Sequence, residues 1–298
     1  MTYILYNPLS EGENAAEEAE MLSILYYDDD VHIVDIRTIG AYTKFFSGLN
    51  SYDKVIVCGG DGTLNHFIND TDGIDIRCNI LYHAIGKGND FMRDIGETAG
   101  ANPVSVNKYL RGLPYVYVNG KKYRFINSVS LGVDARCCET CGKLKRRANK
   151  PVIRKSVAAK EILFRVRPTS AVVTVDGKQY TYEKVWIAPT MKGRFYGGGM
   201  MPTPSQDRTD PEGKVSLMVL HGSGKLKTLA VFPSIFKGKH IKHTEMVAIH
   251  TGHNIHVTFD RPTSLQIDGE TFLGVTEYSV KAGIPAAISH SYEKDDVI

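Results

Sequence analysis

The sequence lacks any apolar run long enough to cross a membrane. Its longest runs, such as Ala171–Val175, fall far short of the roughly 20 residues that a spanning helix needs. The chain also enters the strand-like segment Tyr3–Tyr6 without a basic and then apolar leader. Its five cysteines are odd in number and scattered, which argues against a disulfide framework. We therefore expect a cytoplasmic protein with reduced thiols.

Charge of neither sign dominates, since the formal net charge is only +3. Ten Lys and Arg residues nevertheless lie between Lys143 and Arg167, with Glu161 as the one acid. This basic stretch is typical of a solvated helix face or of a surface that docks on an anionic membrane, where each basic group contributes about 1 kcal/mol. No helix-turn-helix, zinc-finger or RNP pattern accompanies it, so we do not expect nucleic acid as a partner.

The first 110 residues alternate between strand-like and helix-like segments, which predicts a parallel, doubly wound (Rossmann-like) sheet. The predicted strands are Tyr3–Asn7, Val31–Ile36, Lys54–Cys58 and Asn79–Ile85. The predicted helices lie near Ala15–Tyr26, Ala41–Leu49, Leu64–Asn69 and Asp90–Ile95.

After a hinge at Leu110–Pro114, the pattern changes to short alternating strands with Asn-Gly and Asp-Gly turns. The predicted strands are Tyr115–Val118, Ala171–Val175, Val215–Leu220, Glu245–His250, Asn254–Phe259, Ser264–Ile267 and Thr276–Lys281, and the predicted helices are Val152–Phe164 and Leu226–Phe236. We expect an α/β nucleotide-binding domain over 1–112 and a β-sandwich acceptor domain over 113–284. For the segment 285–298, a return to the first domain is left open.

A glycine-rich turn follows the buried strand of Lys54–Cys58. Glycines at 59, 60 and 62 allow positive φ and bring N–H groups close to an anion, and Thr63 is placed to cap a helix beginning at Leu64. An ordinary α/β loop is the alternative, because neither the Walker A nor the Rossmann spacing is present. Asp61 would repel a phosphate unless a divalent cation lay between them, so it predicts Mg²⁺.

Three polar loops follow three predicted strands, namely Asn7–Ser10, Gly59–Thr63 and Gly86–Asp90. In a doubly wound sheet, ligands bind at the carboxyl ends of the strands. We therefore expect the three loops to meet in one crevice.

Two acids, Asp268 and Glu270, flank Gly269 near the end of the second domain. On a strand they would face the same side, whereas a turn at Gly269 would also bring them together. A plain hairpin turn, like that predicted at Asp176-Gly177, is the alternative.

Several separated motifs, in order along nearly the whole chain, resemble the diacylglycerol kinase catalytic family. That family includes sphingosine and ceramide kinases and is distantly related to NAD kinases. The motifs are Asn7-Pro8-Leu9-Ser10, Gly59–Asn65, Gly86–Phe91, Phe125–Asn127, Gly132–Ala135, Gly197–Met200 with Pro204, Gly238–His243 and Asp268–Glu270.

The resemblance implies a two-domain lipid kinase with ATP in the cleft between the domains, Mg²⁺ as cofactor and diacylglycerol as the first candidate for the acceptor. Asp268 and Glu270 are then catalytic, and either could be the base that takes the hydroxyl proton. Asp61 and Asp90 would organise Mg²⁺. The implied nucleotide-binding residues are Asn7, Pro8, Ser10, Thr38, Gly59, Gly60, Asp61, Gly62, Thr63, Asn65, Gly86, Lys87, Gly88, Asn89 and Asp90.

The chain departs from the family at Glu11, at Lys87 in place of a usual Thr, in the acid-free segment Val104–Asn107, and at Glu212 in place of a usual Asp. Asp207, Asp210 and Glu212 are either a structural cation site or a solvated acidic loop. Two other functions stay open: a kinase of a soluble acceptor such as NAD, and a nucleotide- or lipid-binding regulator without catalysis. A homodimer is also left open.

Overall fold

The computed structural model describes residues 1–9, 15–86, 89–148 and 166–283, without the side chains of 144–148. It divides between Arg111 and Gly112 into two compact units. The predicted helix Val152–Phe164 and the segment 285–298 lie outside the described residues.

The first unit has a five-stranded sheet in the order β2-β1-β3-β4-β5. Strands β1 to β4 pair in parallel, and the two-residue β5 pairs antiparallel with β4. The elements are β1 (Thr2–Tyr6), α1 (Ala15–Leu25), β2 (Val31–Asp35), α2 (Tyr42–Ser47), β3 (Lys54–Gly59), α3 (Asp61–Asp70), β4 (Asn79–Ala84), α4 (Asp90–Ile95), β5 (Val104–Ser105) and α5 (Asn107–Leu110). The predicted doubly wound α/β architecture is confirmed.

Strand β3 occupies the centre of this sheet because its side chains suit burial on both faces. Val55, Ile56 and Val57 are completely buried, as the uninterrupted β-branched run predicts. The chain places β2 on one side of β1 and β3 on the other. The order therefore reverses between β1 and β3, and such a switch point is where doubly wound sheets bind ligands.

The second unit is a β-rich sandwich of ten strands, with β13-β12-β11-β8-β14-β15-β6-β7 as its main path and β9 joining β14 to β10. The predicted β-sandwich class is confirmed. The elements are β6 (Tyr115–Val118), β7 (Lys121–Arg124), β8 (Ser128–Gly132), α6 (Val133–Ala148), β9 (Thr169–Val175), β10 (Lys178–Val185), β11 (Ile187–Met191), β12 (Val215–Leu220), α7 (Lys225–Val231), β13 (Val247–Gly252), β14 (Asn254–Ile267) and β15 (Glu270–Lys281).

The structure changes several expectations for this unit. Asn254–Phe259 and Ser264–Ile267 are parts of one long strand, β14, whose register shifts between Thr258 and Thr263. Through this bend β14 pairs with β9 in its first half and with β8 in its second. The sequence analysis did not predict five of the elements: β7, β8, β10, β11 and α6.

Two hydrophobic clusters stabilise the second unit. One is aliphatic and is formed mainly by the inward residues of the strands, such as Val129, Val173 and Val257. The other, which we call the methionine cluster, surrounds α6 and α7 and includes Met191, Met200, Met218, Met246, Cys137, Cys141 and Trp186. Methionine side chains are flexible and fill irregular space, so the two clusters differ in adaptability as well as in place.

Gly132, the last residue of β8 before α6 begins, tests how tightly these elements pack. Its φ is +121° and an added Cβ would overlap the carbonyl group of Trp186. Because neither the backbone conformation nor the space suits a side chain, we expect Gly132→Ala to lower the free energy of unfolding by about 3 kcal/mol or more. Urea unfolding followed by the fluorescence of the single tryptophan, Trp186, measures this.

Gly40→Ala is the matched control, since an added Cβ there meets no atom within 4 Å. Its expected effect is within about 0.5 kcal/mol. Equal unfolding midpoints for the two variants would contradict the packing described at Gly132.

Candidate functional site

Hydrogen bonds join the three predicted loops of the first unit. Asn7, just after β1, donates through Nδ2 to Oγ1 of Thr63 at 3.1 Å. Asn89 donates through Nδ2 to the Tyr82 hydroxyl at 2.6 Å, which in turn donates to the carbonyl oxygen of Gly59 at 3.0 Å. The loops after β1, β3 and β4 therefore lie together at the switch point of the sheet.

The glycine turn enters its helix earlier than the sequence predicts. Helix α3 begins at Asp61 with Gly60 as its N-cap, so the expected cap at Thr63 is wrong. A Cβ on Gly59 would come within 2.5 Å of Thr63, whereas a Cβ on Gly60 or Gly62 would meet no atom within 4 Å. The turn is thus tightly packed on one side and open on the other, where helix N–H groups suit a phosphate.

Asp61 connects this turn to the next loop. Its Oδ2 accepts the N–H of Asp90 at 2.8 Å, and its Oδ1 accepts the N–H of Phe91 at 3.4 Å. The side chain of Asn89 caps the same helix, α4, by accepting the N–H of Met92 at 2.8 Å. One carboxylate therefore fixes two loops at once.

Asp61 and buried Asp90 fit the needs of Mg²⁺. This cation is usually held by one or two carboxylates together with substrate phosphates, rather than by a complete protein cage. Among the described residues, no group of three or more His, Cys, Asp or Glu side chains is placed to hold a metal by itself.

The remaining predicted nucleotide residues are placed as follows. Thr38 ends a short 3-10 helix after β2 and donates to the carbonyl of Asp35 at 2.8 Å. Pro8 lies in the exposed turn after Asn7, and Asn65 is buried within α3. Gly86 follows β4 with a φ of +90°. Ser10, Lys87 and Gly88 lie outside the described residues.

In the second unit, Asp268 and Gly269 form the two-residue turn between β14 and β15. Both have positive φ, 45° and 96°, and Ile267 pairs with Glu270 across the turn. This is a type I′ hairpin, so the turn interpretation is correct and the strand interpretation is wrong. The N–H of Gly269 donates to Oε1 of Gln266 at 2.8 Å.

The Asp268 carboxylate accepts three backbone N–H groups from the segment that leads into β8. Oδ2 accepts from Ile126 at 2.6 Å, and Oδ1 accepts from Asn127 at 2.9 Å and Ser128 at 2.8 Å. Hydrogen bonds to a charged acceptor are short and strong, so these three donors hold the carboxylate in place. Glu270, by contrast, is exposed at the start of β15.

Sequence reasoning missed two cations buried beside this turn. Arg208 donates to the carbonyl oxygen of Ile126 and, at 2.7 Å, to Oδ1 of Asn127. Burial and the nearby charge of Arg208 together lower the pKa of Lys192 to about 8, against the opposing effect of Asp210 and Asp207. The acidic residues around Arg208 in the sequence instead suggested an exposed or metal-binding loop.

The three carboxylates of the predicted structural cation site are occupied by other donors. Asp207 accepts the hydroxyl and N–H of Thr209, which lower its pKa. Asp210 accepts the N–H groups of Glu212 and Lys214, and Glu212 pairs with the Lys214 ammonium at 2.5 Å. In the part of the chain that the structure describes, these side chains are not placed together as a metal-binding group, which favours the alternative of a solvated acidic loop.

A buried acid lies at the edge of the methionine cluster. Asp134, in the first turn of α6, is 4% exposed, and burial raises its pKa to about 6. Ser130 and Tyr196 lie close enough to favour its anion, although no described donor meets either oxygen in full hydrogen-bonding geometry. Burial, with the charge of Asp134, also raises the pKa of the Tyr196 phenol. Burying a carboxylate among apolar side chains costs free energy, and such buried acids often have a functional role.

None of the helices among the described residues is long and apolar enough to cross a membrane. Most of the basic stretch Lys143–Arg167, predicted to contact anionic lipid, lies outside the described residues. Lys143 itself forms an ion pair with Glu139 at 2.6 Å.

Comparisons with known proteins agree with this division of the chain. The family model described as the diacylglycerol kinase catalytic domain matches residues 1–112, and the one described as the YegS C-terminal NAD kinase beta sandwich-like domain matches residues 127–289. A diacylglycerol kinase of Bacillus subtilis (strain 168) is 25% identical over 276 residues, which are 90% of this chain and 88% of that protein. One from Mycobacterium tuberculosis (strain ATCC 25618 / H37Rv) is 26% identical over 201 residues, 65% and 63% of the two chains.

Among solved structures, a diacylglycerol kinase from Bacillus anthracis str. Sterne is similar, with a TM-score of 0.60. It is 18% identical, and the match covers 95% of this chain and 94% of that one. At this identity the likeness supports the fold.

Asp134 gives the second unit a testable pH dependence. Between pH 3.8 and about 6 the folded protein keeps a proton on Asp134 that the unfolded chain has lost. The free energy of unfolding therefore falls as the pH rises through this window. We expect Asp134→Asn to remove that fall and to stabilise the protein at pH 7 by up to about 3 kcal/mol.

Urea unfolding at a series of pH values, read by Trp186 fluorescence, measures the difference. Asp30→Asn is the control, because the Asp30 side chain is 71% exposed. If the wild-type and Asp134→Asn curves run parallel from pH 4 to 7, Asp134 is not the buried acid described here.

Proposed function

Because this chain belongs to the diacylglycerol kinase family, we propose that it transfers the γ-phosphoryl group of ATP to a lipid hydroxyl with the help of Mg²⁺, and that diacylglycerol is the lipid. Membership of the family makes the chain a phosphotransferase with an alcohol acceptor. The observation that carries the finer proposal is the Asp268 turn, whose carboxylate is held by three backbone N–H groups.

We assign phosphate binding to the first unit. Gly60 and Gly62 leave the start of α3 open, so that its backbone N–H groups and its dipole favour an anion there. Asp61 and Asp90 are the ligands we assign to Mg²⁺. When bound, that cation would offset the negative charge of the phosphates during transfer.

We assign Asp268 as the general base. Its fixed carboxylate would accept the proton of the lipid hydroxyl while the hydroxyl oxygen attacks the γ-phosphorus and the bond to the ADP oxygen breaks. Three N–H donors leave lone pairs on this carboxylate for one further hydrogen bond. Glu270, exposed on the next strand, is the neighbouring acid against which this assignment is tested.

We assign the apolar part of the acceptor to the methionine cluster. Its thioether side chains can rearrange around an acyl chain more readily than a β-branched core. Asp134 and Tyr196 place polar groups in the same apolar surroundings, and ligand sites combine apolar walls with a few polar groups in this way. This supports an amphipathic acceptor over a fully polar one such as NAD.

Asp268→Asn tests the base directly. We expect label transfer from γ-labelled ATP into diacylglycerol in mixed micelles to fall by roughly a hundredfold or more, as the removal of a general base does. Asp176→Asn is the matched control, because Asp176 also starts an Asp-Gly hairpin, has a φ of 46°, and accepts the N–H groups of His253 and Asn254. It should lose comparable stability and keep its activity.

Three outcomes would count against parts of this assignment. If the wild-type protein labels no lipid, the proposed lipid kinase activity is ruled out. If NAD is labelled instead, the result supports a kinase of a soluble acceptor. ATP binding by calorimetry without any transfer supports a non-catalytic regulator. A Glu270→Gln protein that is inactive beside an active Asp268→Asn protein moves the base to Glu270.

We also propose that the basic stretch Lys143–Arg167 docks on an anionic membrane surface. With ten basic residues and one acid, it should bind phosphatidylglycerol vesicles at low salt and release them as salt screens the charges. Vesicle co-sedimentation measures this, with neutral phosphatidylcholine vesicles as the control. Binding that is indifferent to salt and to lipid charge would disprove the contact.

A further inference from the structure

Two hairpin turns of the second unit share a design but differ in what supports them. Asp176 and Asp268 both begin an Asp-Gly turn with φ near 45°, and both carboxylates accept backbone N–H groups from a neighbouring segment. Behind the Asp268 turn, the donor segment is itself held by Arg208. The Asp176 turn forms without an arginine described behind its donor segment, so a hairpin turn does not need one for its structure.

One peptide group connects the two charges. The guanidinium of Arg208 donates to the carbonyl oxygen of Ile126, and the N–H of the same peptide group, on Asn127, donates to Oδ1 of Asp268 at 2.9 Å. A peptide group that accepts from a cation at one end and donates to an anion at the other is polarised, and its two hydrogen bonds strengthen each other. Arg208 therefore acts on Asp268 through this peptide group.

We infer that Arg208 is a positioning residue for the reaction, which sets the place and the charge of the Asp268 carboxylate through the Ile126–Asn127 peptide group. The inference rests on the proposed role of Asp268 as the base. It adds to the reaction a residue that lies some sixty positions away in sequence and acts through a peptide group.

The surroundings of Arg208 hold its guanidinium in a fixed position, as a positioning residue requires. Its residue is 7% exposed, and its second nitrogen donates to Oδ1 of Asn127 at 2.7 Å, so the planar fork is held at two points. Gln206, also buried, ties the same loop to itself by donating to the carbonyls of Asp207 and Lys214 at 3.1 and 3.0 Å. Arg208, Asp207 and Asp210 are the charged groups that act on the buried ammonium of Lys192.

The inference separates Arg208 from a residue that only stabilises the fold. Its loss should lower kcat while leaving the KM for ATP nearly unchanged, because the nucleotide residues lie on the first unit. It should also move the acid limb of the kcat profile to higher pH, because the Asn127 N–H, without the cation at the other end of its peptide group, becomes a weaker donor to the ionised carboxylate. A loss of packing alone would move neither the limb nor kcat selectively.

The experiment compares Arg208→Lys and Arg208→Ala with wild type in the lipid-labelling assay. We expect roughly a tenfold or larger loss of kcat in both, since the lysine ammonium cannot reproduce the fork. Millimolar guanidinium ion should restore part of the activity of Arg208→Ala and none of that of Asp268→Asn. Arg77→Ala is the control, because Arg77 is 75% exposed and pairs with Asp75.

Amide hydrogen exchange provides a readout that does not depend on activity. Exchange at residues 126–128 should be faster in both Arg208 variants, while that at His253 and Asn254, beside Asp176, should be unchanged. Wild-type kcat in Arg208→Ala, or exchange that rises equally at both turns, overturns the inference. If wild type labels no acceptor, the proposed function fails, and the exchange data alone then decide whether Arg208 holds this segment.

Discussion

Backbone N–H groups that donate to aspartate carboxylates hold both parts of the proposed site. In the first unit, Asp61 accepts from the first residues of α4 and so joins the glycine turn to the following loop. In the second, Asp268 accepts from the segment that enters β8. Each bond joins a charge to a neutral group that already needs a partner, and such bonds are short and directional. The loops to which we assign the reaction are thus held in place by aspartates to which we also assign a role in it.

The sequence predicted the first unit well because its signals are local. β-Branched runs, glycine turns and amphipathic helices follow one another there, so that strands such as β3 and helices such as α4 were placed to within a residue or two at most ends. We could predict that the loops of Asn7, Thr63 and Asn89 lie together, because the carboxyl ends of parallel strands meet at one edge of the sheet. The helix start at Asp61 was missed because capping by glycine leaves no side-chain signal.

The second unit was harder to predict because its arrangement depends on distant pairs. β8 reads Ser-Val-Ser-Leu-Gly, which alone suggests no buried strand, yet all five residues are buried between β11 and β14. Arg208 lies in an acidic loop and gains its position from Ile126 and Asn127, some eighty residues earlier. No local pattern contains that contact. The turn at Asp268 could be predicted from Asp-Gly, but the three N–H groups that meet its carboxylate could not.

The geometry of the Asp268-Gly269 turn also bears on how long the protein survives chemically. An Asp-Gly pair ages when the glycine nitrogen attacks the aspartate carboxyl carbon and closes a succinimide ring with loss of water. Hydrolysis then opens the ring to isoaspartate. Here the carboxylate is anchored by three donors and the Gly269 N–H is engaged with Gln266. Ring closure would require both to be released together. The contacts that orient the side chain thus also protect its covalent backbone, so that this dipeptide can be kept at a place where an isomerised residue would be most damaging.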